Sequence, residues 1–215
     1  MREHIWNSYS KSSAKMGGTI PVLCQPVLKR QHGALVANNL VAGERVAAGT
    51  PMEFDLASRT AKLLKAWKIK AVEVSGENTI VTLYRTATTP VLRNGMVVMV
   101  MPSSLEGKGK AAAVNAVAEG ENVYTVTLAT ASFDTLAVGG FLVEAKEAGS
   151  GKAPYCKPNN IATEDVVGGT ENTLVDVPRG HIYMYQNTIP AMPEVVKAAM
   201  FNSDIQISWE MYNEE

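Results

Sequence analysis

Two cysteines and three histidines in 215 residues leave little material for a disulfide framework or a metal centre. Cys24 and Cys156 read as reduced thiols, or at most as one bridge. Neither they nor His4, His32 and His181 stand at metal-ligand spacing from one another. Aromatic residues make up 7% of the chain and the net charge is −1, so the composition as a whole advertises neither a nucleic-acid nor a membrane partner. No apolar run approaches the length needed to cross a bilayer. The opening Met1-Arg2-Glu3-His4-Ile5-Trp6-Asn7-Ser8 lacks the apolar segment of a signal peptide, so none is expected. Catalytic signatures are equally scarce. The chain has no Gly-X-Ser-X-Gly elbow and no dinucleotide fingerprint. Glu164 and Asp165 are adjacent, which on a strand points them to opposite faces and makes no acid/base dyad. Cys156 has Lys157 beside it to favour a thiolate but no neighbouring histidine to act as base. Gly107-Lys108-Gly109-Lys110 lacks the spacing of a phosphate loop and the Ser or Thr that follows it, and reads as a flexible surface loop. The expectation is a protein that is not an enzyme, with no catalytic, cofactor-binding or metal-ligating residues.

What the chain does hold is a β unit written twice. Its first copy (71–101) runs Ala71-Val72-Glu73-Val74, a Ser75-Gly76-Glu77-Asn78 turn, Ile80-Val81-Thr82-Leu83, a polar loop, and a strand ending at Val100. Its second copy (111–145) runs Ala113 to Val117, a Glu119-Gly120-Glu121-Asn122 turn, Tyr124 to Leu128, and Leu136 to Ala145. Gly and Asn tolerate the positive φ of tight reversals, and the β-branched alternation suits half-buried strands. Gly76 to Gly120 is a step of 44 and Leu83 to Leu128 one of 45, which places one extra residue in the second hairpin. Two copies are too few for a solenoid. A mainly β fold is expected, a β-barrel or β-sandwich of duplicated hairpin units.

Around this unit the chain divides into an extended N-terminal arm (1–33), a β domain (34–150) and a loop-rich C-terminal segment (151–215). The arm is polar and glycine-containing, with Trp6 and Tyr9 either as docking anchors or as part of a frayed terminus. Pro21 and Pro26 keep residues 20–33 extended and off any central strand. Residues 56–67 fit either a short helix or a turn at Ala57-Ser58-Arg59 followed by a strand, and the neighbouring strands favour the second. Pro193 at a first helical position and Glu194 in the first turn predict a helix over 193–201. Thr173–Val177, His181–Tyr185 and the alternating Ile205–Tyr212 predict further strands, with His181 a core or rim residue. Residues 1–70 hold 11 Lys/Arg against 4 Asp/Glu, and residues 71–215 hold 9 against 17, so +7 meets −8. Such asymmetry suits a basic segment docking on an acidic surface, or charges that merely solvate a face. Lys62, Lys65, Lys68 and Lys70 around Trp67 come nearest to a nucleic-acid patch and equally describe a solvated face.

The arm-like N-terminus, the Val-Ala-Gly-X-X-Val-X-X-Gly-Thr-Pro stretch from Val41 to Pro51, the paired Gly-Glu-Asn…Val-Thr-Leu hairpins and Ile189-Pro190-Ala191-Met192-Pro193 carry a likeness. Over residues 34–190 the chain resembles tailed-phage (prophage) head-fibre and head-decoration proteins, although it is longer than small decoration proteins. The resemblance implies an accessory virion protein on the capsid exterior, made in the host cytoplasm, commonly trimeric and without catalytic residues. On that footing the partners are further copies of the chain and the major capsid protein lattice. The expected contacts are Trp6, Tyr9, Ile20, Pro21 and Val22. The competing expectation is a glycan-binding or adhesin-like β module displaying Trp67, Tyr155, Tyr183 and Tyr185.

Overall fold

A computed structural model of the chain describes residues 28–29, 33–37, 40–129, 133–169, 173–200 and 205–210. The fold is mainly β, with several sheets and one short helix near the C-terminus, Glu194–Ala199, among the described residues. In chain order the first strands are β1 (Leu28–Lys29), β2 (Ala34–Val36), β3 (Arg45–Val46), β4 (Pro51–Asp55) and β5 (Thr60–Leu63). There follow β6 (Ala66–Ser75), β7 (Asn78–Tyr84), β8 (Val97–Val100), β9 (Gly109–Ala113), β10 (Ala116–Glu119), β11 (Val123–Ala129), β12 (Phe141–Glu144) and β13 (Gly149–Lys152). The last are β14 (Asn160–Ile161), β15 (Val166–Val167), β16 (Leu174–Val175), β17 (Pro178–Tyr185) and β18 (Ile205–Glu210). Two compact units result. One comprises Met1–Leu63, Pro158–Pro190 and Ala198–Glu215, and the other Leu64–Lys157 and Ala191–Lys197. The divisions fall at 63/64, 157/158, 190/191 and 197/198.

The second unit is the duplicated one. Its sheet runs β10-β11-β7-β6-β12-β8-β9-β13. β9 and β10 are consecutive in the chain, and Val114 bonds to the β8 side through Met96 while Asn115 bonds to the β11 side through Thr127. The segment Gly109–Glu119 is therefore one bent strand that belongs to both ends of the sheet. It closes a six-stranded antiparallel ring of β6, β7, β11, β10/β9, β8 and β12, and closure removes the open edges a flat sheet would carry. β6 bends at the equivalent place: its register with β7 shifts between Ile69 and Ala71, a bulge that re-aims the strand from one neighbour to the next.

The two copies are related by a pseudo-two-fold axis legible in the register. Val81 pairs with Val126 across β7 and β11, and Met99 pairs with Val143 across β12 and β8. In each case a residue faces its own counterpart. The hairpins are equal in length, since Ala71 pairs with Thr82 and Ala116 with Thr127, so the extra residue expected in the second hairpin is not there. The Gly-Glu-Asn triplet sits one position earlier in the second turn. The difference lies instead in the loop that follows, which in the first copy is one residue longer between Leu83 and Gly95 than between Leu128 and Gly139. Gly95 and Gly139 share a left-handed backbone (φ 80° and 83°) at equivalent turns.

Alternation fills the ring. Thr79, Val81 and Leu83 of β7 and Tyr124, Val126 and Leu128 of β11 are buried, and the residues between them are not. With Trp67, Ile69, Leu92, Val98, Val114, Phe133 and Leu142, all of these but Thr79 form one apolar core, so the interior is packed with side chains. The Trp67 indole N–H donates to the Pro90 carbonyl at 2.9 Å, which satisfies its polar edge.

The first unit carries a five-stranded sheet, β14-β4-β5-β2-β16, with β2 and β5 parallel, beside the β15-β3 pair and the β1-β17-β18 sheet. Its core holds Val46, Met52, Phe54, Leu63, Ala162, Val166 and Val177. Residues 56–59 form a turn and β5 follows, with Arg59 in the left-handed region (φ 53°), so the turn-plus-strand expectation holds there. Asn159 clamps β4 by accepting from Phe54 N–H at 2.8 Å and donating to Phe54 C=O at 3.0 Å. β17 and β18 pair in parallel over six residues.

Candidate functional site

Trp6, Tyr9, Ile20, Pro21 and Val22, the contact residues expected from sequence, lie outside the described residues, as does Cys24. The rest are placed as follows. Trp67 is fully buried and so offers no stacking face to a glycan. Lys65 is fully buried as well, and Lys62 pairs with Glu53 at 3.4 Å, leaving Lys68 and Lys70 as the exposed members of the expected basic patch. Cys156 is a buried thiol. Gly107 is set in a defined turn: its N–H donates to Ser104 C=O, and a Cβ there would stand 2.5 Å from the Pro102 ring.

A cleft of roughly 300 Å³ opens in the first unit, lined by Gly33, Glu164, Asp165, Val166, Leu174, Val175 and Asp176. Its acidic character is partly structural. The Asp165 carboxylate stands 2.7 Å from Arg45 Nε and accepts from the Ala48 N–H at 3.0 Å, so one group ties the β3 region to the loop before β15. Glu164 is exposed. Among the described residues no group of three or more His, Cys, Asp or Glu side chains is placed to hold a metal ion. Among the described residues that line the cleft, none is a Ser, Thr, Cys, Lys or His.

The other concentration of ionisable groups lies in the second unit. Lys65 faces Glu144 with Nζ 4.0 Å from Oε2. Tyr155 donates its backbone N–H to the Glu144 carbonyl at 2.8 Å. Burial first, then the Glu144 carboxylate and Cys156, push the Tyr155 phenol above its ordinary value. This cluster was not legible in the sequence, because its members are 79 and 11 residues apart in the chain.

Surface apolar groups are the remaining candidates for recognition. On the five-stranded sheet, Leu174 of the edge strand β16 pairs directly with Leu35 of β2, and the two are 64% and 37% exposed. Val41 and Val167 are exposed in the same unit, and Gly168, next to Val167, approaches Val41 so closely that a Cβ would stand 2.4 Å from its carbonyl oxygen. On the barrel, Val74, Tyr84 and Val138 are exposed, and Lys70 Nζ lies 5.7 Å from the centre of the Tyr84 ring. Such side chains gain by being covered. No family model, no curated protein and no solved structure matches this chain.

Proposed function

We propose that this chain is a structural virion protein of prophage origin, related to tailed-phage head-fibre and head-decoration proteins, that decorates the capsid exterior as a homo-oligomer. In this reading it has no catalytic role, the oligomer is a trimer, and the basic N-terminal arm grips the repeating capsid lattice. The observation that carries the reading is the Leu35–Leu174 pair, two large apolar side chains facing each other in the open at a sheet edge. An exposed edge with apolar side chains is a liability unless a partner covers it, and in a homo-oligomer that partner is another copy. Weak contacts per copy then gain strength through multivalency on the lattice. Light scattering on the purified chain tests the self-association. The expected result is a trimer that dissociates in Leu174→Glu, and a monomer at all concentrations would remove the basis of the reading.

A further inference from the structure

We propose that Lys65 and Glu144 join in an intramolecular amide cross-link between β6 and β12, a covalent modification of the barrel that is independent of any role on a capsid. The two residues face each other across the ladder. Val143 pairs with Ala66, and one rung further the Glu144 N–H donates to the Lys65 carbonyl at 3.0 Å. That backbone bond holds the side chains side by side, with Nζ 4.0 Å from Oε2. The Lys65 side chain is wholly removed from solvent and that of Glu144 is 14% exposed. Lysine at this position interrupts a buried run of Leu63, Leu64, Ala66 and Trp67.

An amide carries no charge, so the bond would remove the cost of keeping the Lys65 and Glu144 groups charged away from water. The two groups are held together at high effective concentration by the ladder. As Nζ gives up a proton to the carboxylate, its lone pair attacks Cδ and an N–C bond forms. A second Nζ proton moves to the same carboxyl oxygen, the C–O bond breaks, and water leaves. No oxidant or reductant is needed.

The duplication supplies an internal comparison. One rung beyond the Met99–Ala111 pair, the counterpart of Lys65 is Lys110, whose backbone N–H donates to the Asp134 carboxylate at 2.8 Å. Lys110 is exposed. The repeat thus keeps the lysine without the burial and carries Val100 where the other half has Glu144, and no bond is expected there.

The test is intact mass spectrometry of the full-length chain in denaturant. The expected mass is below that of the sequence by one water molecule, with full mass restored in Lys65→Arg. A digest of the wild-type chain is expected to yield a branched peptide joining the Lys65 and Glu144 segments, a readout that does not depend on any variant folding. A wild-type chain at full sequence mass overturns the proposal, as does a deficit that persists in Lys65→Arg.

Discussion

Gly49 is the position at which a single methyl group should do most damage. It is buried with φ +86°, and its N–H donates to the Ala162 carbonyl at 2.7 Å. A Cβ built there would stand 2.4 Å from Ile189 Cγ2 and 2.6 Å from Ile189 Cβ. The left-handed backbone costs an alanine about 1–2 kcal/mol, and forcing extra volume into a packed site costs about 1–3 kcal/mol more. Gly49→Ala should therefore destabilise the first unit by about 2–5 kcal/mol. Ile189→Ala alone removes a buried side chain and costs a similar amount, about 2–5 kcal/mol. The two losses should not add. In the double variant the methyl of residue 49 occupies space that Ile189 has vacated, so the clash disappears while the backbone strain stays. The combined loss should fall short of the sum by about 1–3 kcal/mol. Urea unfolding followed by circular dichroism, compared at a common slope, reads all three variants. Strict additivity, or a Gly49→Ala chain within about 0.5 kcal/mol of the parent, would refute the reasoning.

Other expectations follow from single contacts. Trp67→Phe leaves the buried Pro90 carbonyl without its donor and shrinks a core ring, for a loss of about 2–4 kcal/mol, whereas exposed Lys68→Ala should stay within about 0.5 kcal/mol in the same urea assay. Asp165→Ala removes the acceptor of the Ala48 N–H and should cost about 1–3 kcal/mol, while Asp165→Asn keeps an acceptor and should cost less; equal losses would contradict the assignment. The Asp55 carboxyl, held down first by the Ser58 hydroxyl and then by the Ala57 N–H, should titrate below its ordinary 3.8 by NMR, and Ser58→Ala should raise that midpoint. Because the folded value is the lower one, whatever this turn contributes is present above the ordinary value and fades as pH falls through the folded one. A midpoint unchanged by Ser58→Ala would assign the shift elsewhere.

The hairpins were legible because their signals are local. Gly-Glu-Asn turns between alternating strands fix neighbours a few residues apart, and the structure places β6–β7 and β10–β11 where those turns put them. Ring closure was not legible. It depends on β7 meeting β11 and β8 meeting β12, pairings between copies that no local pattern encodes. The one-residue offset was misassigned for the same reason: a turn triplet can slide within a hairpin without changing its length. Lys65 defeats periodicity outright, since a lysine amid alternating lysines looks solvated and only the tertiary fold shows it sealed opposite Glu144. The short strands β14 to β16 are two residues each, below the length at which alternation carries information.

Co-sedimentation with tailed-phage capsid shells tests the proposed capsid role most directly. Full-length chain should pellet with the shells in saturable amounts, and a chain lacking residues 1–20 should stay in the supernatant while remaining folded by circular dichroism. Full-length chain that does not pellet would contradict the capsid assignment, and a truncated chain that pellets as well as the parent would remove the arm from it.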